Sequence, residues 1–211
     1  MRELIHIPVI HSQADLGNLA DSIRKISISK LGLRNWRHSV KAIEQFWRAI
    51  RREIELWDLP YEQVRLYQDG LPVCNREMEI VRDIACAGSP NHQLLLYLME
   101  KGATLMGTES PELLLEEYTL IRRLVGTAGR AEATRIEHQQ KAISEDSLLR
   151  RDRFIARRIG ETLRAGEIGI LFLGMLHSVE PWLDTDVELS FPICRPAGDR
   201  ARVGGKKPGA T

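Results

Sequence analysis

Residues 169–183, GILFLGMLHSVEPWL, decide the fold. The run Ile170 to Leu173 has the length and composition of a buried strand, and it breaks at Gly174, three residues before His177. An imidazole therefore stands just past the carboxyl end of a core strand. In open α/β sheets ligand sites gather at that edge, because the strands stop there and loops can be shaped around a crevice.

A second histidine has the same setting near the start of the chain. Residues 3–10, ELIHIPVI, read as the first strand and are followed by His11. Pro8 removes a ladder donor, which places it at a strand edge or end. Leu16, Leu19, Ile23 and Ile26 then keep helical spacing until Gly32. From Trp36 the stripe Val40, Ile43, Trp47, Ile50, Ile54 and Trp57 recurs in alternating steps of four and three, a long amphipathic helix stopped by Pro60. Core packing is the plain reading of that stripe; a homodimer or partner surface through Trp36, Trp47 and Trp57 is the other.

Strand and helix signals alternate from there. Gln63 to Gln68 reads as a strand ended by Asp69-Gly70, and Asn75 to Ala87 as a helix. Ser89-Pro90 opens another helix, which runs to Lys101. Ala103 to Met106 is a short strand leading to Gly107-Thr108-Glu109, and Ser110-Pro111 opens the next helix. A charged helical stretch covers Arg130 to Arg164 ahead of the strand at Ile168, and Asp186 to Phe191 makes a last strand. These signals predict an α/β fold: a single domain over residues 1–194 with a central, mostly parallel sheet of about four to five strands flanked by long helices. Residues 195–211 hold five Arg or Lys against one Asp and almost nothing apolar, and read as a disordered basic tail.

Composition narrows the class. At 211 residues, 43% hydrophobic and 28% charged, the chain suits one soluble globular domain. The net charge is +1, and setting the basic tail aside leaves a slightly acidic body, which argues against a nucleic-acid partner. The three cysteines, Cys74, Cys86 and Cys194, lack CxxC spacing, so neither a disulfide framework nor a thiolate zinc site is implied. The opening residues have no signal-peptide pattern, and no apolar run approaches the roughly 18 residues of a membrane span. A cytoplasmic location without membrane contact is expected.

Four strand ends thus carry polar side chains: His11, Asp69, Glu109 and His177. Two imidazoles and two carboxylates can ligate a divalent metal, or can serve as base and acid around an ester or amide carbonyl. His6, His38, His92 and His138 sit inside elements and read as structural. Arg150 to Arg153 with Arg157-Arg158 reads as a solvated helix face, and Asp15 and Asp152 rank low as site candidates.

The helix end Arg151-Asp152-Arg153-Phe154-Ile155-Ala156-Arg157-Arg158-Ile159, the strand ILFLG and the GxxH of Gly174 to His177 resemble the C-terminal signature of the TraB/TIKI-like superfamily, which includes ChaN-like and erythromycin-esterase-like proteins. Met106-Gly107-Thr108-Glu109-Ser110-Pro111-Glu112-Leu113 resembles the segment carrying that group's internal glutamate. Pro8-Val9-Ile10-His11 falls where its first GxxH is expected, with proline in place of glycine, and Asp69 stands where a family glutamate follows the second strand. The resemblance implies His11, Glu109, Arg151 and His177 as active-centre residues and His11, Asp69, Glu109 and His177 as the ligand set of a divalent metal. It implies a hydrolase of peptide or ester bonds, acting on a peptide or small-molecule substrate, with Arg151 steadying a carboxylate or oxyanion. The alternative on the same fold is a non-catalytic protein that binds a small ligand such as haem.

Overall fold

A computed structural model describes residues 1–126 and 130–193, with the backbone alone for 123–126 and 130–144. The strands are β1 (Arg2–Val9), β2 (Val64–Gln68), β3 (Thr104–Met106), β4 (Ile168–Gly174) and β5 (Val187–Ser190). The helices are α1 (Ala20–Leu31), α2 (Leu33–Glu55), α3 (Glu77–Cys86), α4 (Pro90–Glu100), α5 (Pro111–Gly126) and α6 (Arg130–Thr162). All strand pairs are parallel, in the order β3-β2-β4-β1-β5. This is the predicted α/β class. The basic tail and Cys194 lie outside the described residues.

β4 is the central strand, paired with β2 on one side and β1 on the other. Its side chains alternate between two cores, so both faces must be apolar. Ile170 and Phe172, with Ile5, Ile7 and Leu66, meet Trp47, Ile50, Ile54, Leu94 and Leu95 from α2 and α4. Leu171 and Leu173, with Leu4 and Tyr67, meet Ile155, Ile159 and Leu163 at the end of α6.

The direction of the crossovers places the crevice. From β1 to β2 to β3 the chain steps one way along the sheet, and from β3 to β4 to β5 it steps back. Right-handed crossovers then put α2 and α4 on one face and α6 on the other. Val179 and Leu183, in the connection leaving β4, join the α6 core. The connections leaving β1 and β2 therefore diverge from the one leaving β4, and a topological switch point flanks β4 on each side.

Pro8 is accommodated by the uneven length of the flanking ladders. β5 pairs only with Arg2 to Ile5, so Pro8 faces β4 alone, opposite Leu173. The tryptophan stripe is shorter than its periodicity predicts. Trp47 is buried in the core, Trp57 lies beyond the end of α2 at Glu55, and the ring of Trp36 carries the Arg24 guanidinium at 5.1 Å.

Candidate functional site

Asp69 follows β2 directly, and its amide donates to the Phe172 carbonyl at 2.8 Å, tying the end of β2 to β4. Its Oδ2 accepts the Gly174 amide at 2.9 Å. Gly174 has to be glycine here, because a Cβ would lie 2.7 Å from that same oxygen. Gly70, at φ 76°, turns the chain away and points its amide at Glu109 Oε1, 2.7 Å distant.

Glu109 is delivered by a clamped loop. The amides of Thr108 and Glu109 both donate to the Leu71 carbonyl at 3.0 Å. The buried Thr108 hydroxyl accepts the Gln68 amide at 2.9 Å. A side chain on Gly107 would come within 2.8 Å of Val73 Cα, so only glycine lets the loops after β2 and β3 approach this closely. Glu109 is fully buried as a result.

Arg151 reaches in from α6 and joins both carboxylates. Its Nε donates to Glu109 Oε2 at 2.6 Å, and Nη2 donates to Glu109 Oε1 at 2.7 Å and Asp69 Oδ1 at 2.9 Å. Nη1 donates to Glu117 Oε2 at 2.7 Å. The solvated-face reading of the arginine cluster holds for Arg157, whose side chain is 66% exposed, and fails for Arg151 at 5%. Arg151 continues the inward stripe of Ile155 and Ile159, four residues apart along the helix. With each nitrogen engaged, it is placed to hold Asp69 and Glu109 rather than to meet a ligand.

Asp152, on the same inward side, takes His177. His177 Nδ1 lies 2.5 Å from Asp152 Oδ1, and the other oxygen of Asp152 accepts the Ser178 amide at 2.9 Å. With a carboxylate at Nδ1 the proton belongs on that nitrogen, which leaves a lone pair on Nε2 in the neutral ring. His177 Nε2 faces Asp69 Oδ1 at 3.6 Å. His11 approaches Asp69 Oδ2 from the other side, at 3.7 Å, with a side chain 46% exposed. A carboxylate has about four lone-pair sites, so after Arg151 and Gly174 Asp69 keeps one on each oxygen, facing the two imidazoles.

The charges of this cluster do not balance. Asp69, Glu109 and Asp152 are three buried carboxylates against the one guanidinium of Arg151. Burial works against ionised Asp69, yet His11, His177 and Arg151 together hold it well below the usual carboxylate range. Glu109 is pushed up by its burial in spite of Arg151. Burial lowers His177, but Asp152 and Asp69 outweigh it, and the imidazole sits above its ordinary value. Asp69 raises His11 in the same way.

The structure thus gathers Asp69, Glu109, Arg151 and His177 and sets His11 at the rim. One ligand atom each from Asp69, Glu109 and His177 lies within 4.8 Å of the others, so this buried group could hold a metal ion. Asp152 and Thr108 are the residues that sequence reasoning undervalued. Asp15 and His92 form a separate cluster: Asp15 accepts the Ser12 amide and hydroxyl, and His92 Nδ1 meets Asp15 at 3.2 Å and the helix-capping Ser89 at 2.9 Å. Among the described residues, no helix is long and apolar enough to cross a membrane. Comparison with family models, curated proteins and solved structures found no match to this chain.

Proposed function

We propose that the chain is a TraB/TIKI-like hydrolase of peptide or ester bonds, with Asp69, Glu109 and His177 as the seat of a divalent cation and His11 beside it. What carries this reading is the charge imbalance. Three buried carboxylates and one guanidinium leave two negative charges next to an imidazole lone pair. Buried charge without compensation is costly, and a dication or two imidazolium ions offset this one. The mixed nitrogen and oxygen donors suit zinc or manganese. When bound, such an ion supplies Lewis-acid polarisation of a carbonyl oxygen.

The protein groups divide the remaining work. Asp152 orients His177 and fixes its tautomer. Arg151 keeps Asp69 ionised and anchors Glu109, a positioning role. His11 reaches the solvent side of the cluster, where its Nε2 can give a proton to a departing group. Order along the chain supports the family likeness: a histidine after β1, a glutamate after β3, an arginine in the following helix and a GxxH after β4.

Hydrolysis of p-nitrophenyl esters and peptide p-nitroanilides, with and without chelator, tests the reading. Activity lost with chelator and restored by zinc or manganese is expected. Hydrolysis indifferent to chelator would transfer the chemistry to the Asp152–His177 pair as general base. No hydrolysis by a metal-loaded chain would favour the ligand-binding alternative.

A further inference from the structure

A cavity of about 400 Å³ opens beside His11, between the segment His11 to Leu16, helices α1 and α2, and the turn joining α3 to α4. That volume is in the range of small-molecule sites, roughly 300–1,000 Å³. Its walls are mainly apolar, with Leu16, Ile23, Trp36, Val40 and Ile43 among them. Glu44 is the one formally charged side chain in the lining, and no lysine or arginine contributes. His11 belongs both to this wall and to the cluster, its Nε2 being 3.7 Å from Asp69. The cavity and the charged site therefore share a residue, in the way a recognition pocket adjoins a reacting centre.

The turn that delivers His177 is apolar too. Met175 and Leu176 are 56% and 83% exposed in the short stretch between Gly174 and His177. Two apolar features that arise from different strand ends thus frame one centre.

We infer that the cavity beside His11 receives the apolar acyl group of the substrate, so that the scissile ester or amide carbonyl lies at the cluster. This rests on the hydrolase reading for the bond cleaved, but the binding of an acyl chain does not. With Glu44 as the carboxylate of the lining and no lysine or arginine among the lining side chains, the apolar wall favours a neutral chain over an acidic one. Each methylene buried there raises kcat/KM by about fourfold until the cavity is full.

The untagged full-length chain would be assayed on p-nitrophenyl acetate, butyrate, octanoate and decanoate. Binding of decanamide would be followed by tryptophan fluorescence and by titration calorimetry. Ser27→Phe and Ser39→Phe each place a ring in the cavity from its wall, so one variant suffices if the other does not fold. The expected result is a steep rise of kcat/KM with chain length, saturable decanamide binding, and loss of both in the filled variants. Equal kcat/KM across the ester series would overturn the acyl pocket and leave the hydrolase reading standing. Decanamide binding abolished by Ser27→Phe in a chain that cleaves nothing would keep the pocket and remove the hydrolase. Decanamide binding undisturbed by both filled variants would overturn the pocket outright.

Discussion

Two buried arginines lie at opposite ends of the same sheet, and each holds two or more carboxylates. At the amino end of β1, Arg2 donates to Asp184 at 2.8 Å and to both oxygens of Asp186, at 2.5 and 2.9 Å, and to the carbonyls of Gly160 and Leu163. Its carboxylate partners are 59% and 57% exposed and remain solvated without it. At the carboxyl end, Arg151 holds Asp69 and Glu109, which are 4% and 0% exposed. The Arg2 cluster fastens β1 to α6 and to the approach to β5. The Arg151 cluster stores an excess of buried negative charge beside two imidazoles. What separates a structural ion cluster from a candidate site in this molecule is where the carboxylates are, not the presence of an arginine.

The sharpest way to break that contrast is to remove each arginine. Arg151→Met leaves two buried carboxylates facing each other, and its unfolding free energy in urea is expected to fall by about 3–5 kcal/mol. Arg2→Met, whose partners stay in water, is expected to lose less than half as much. Equal losses would erase the distinction. Asp152→Asn keeps one acceptor oxygen for the Ser178 amide and turns an amide NH2 toward His177 Nδ1, which upsets the tautomer and orientation of His177, so metal affinity or activity should drop about 10–100-fold with near-normal stability. An unchanged affinity would remove His177 from the ligand set.

Two glycines repeat the comparison on a smaller scale. A Cβ at position 174 would meet Asp69 Oδ2 at 2.7 Å, and one at position 160 would meet Asp184 Oδ2 at the same 2.7 Å. The first oxygen belongs to a buried carboxylate bonded to the Gly174 amide, whereas the second belongs to a 59% exposed carboxylate that can yield into water by giving up its bond to Arg2. Gly174→Ala should therefore cost about 1–3 kcal/mol and perturb metal binding. Gly160→Ala, within α6, should be neutral or gain up to about 1 kcal/mol from helix propensity.

The smallest effect is one of pH. His11 and His177 are held above the ordinary imidazole value of 6.5. In metal-free protein their stabilising share is complete below that pH and is lost as pH rises through the raised values. The urea midpoint should therefore decline from mildly acidic to mildly alkaline pH, and added zinc should flatten the decline. Arg2, held far above its already high ordinary value, contributes nothing to that slope. A midpoint independent of pH in metal-free protein would contradict the charge imbalance.

Much of this was legible in the residues. β4 announced itself because a central parallel strand must be apolar on both faces, and its GxxH located His177 at the strand end. His11, Asp69 and Glu109 followed from the same logic, since a parallel sheet gathers its carboxyl ends along one edge. Arg151 was lost among the surrounding arginines when read by composition and came only through the family likeness. The signal that could have found it, and Asp152 with it, is position: each lies four residues before a buried member of α6, Ile155 or Ala156. Charges on an apolar stripe have to be paired inside. Thr108 was harder to see, because its role depends on the loops after β2 and β3 touching, which no local pattern encodes. Trp57 keeps the period of α2 two residues past its end and still packs against the core, so the spacing overstated the helix and not the burial.

Metal analysis of the untagged full-length protein tests the central claim most directly. Close to one equivalent of divalent metal per chain is predicted for the wild type, and its loss is predicted in both Asp69→Asn and His177→Ala. A fully folded chain without metal, taking up none when zinc or manganese is supplied and unchanged in either variant, would contradict the account.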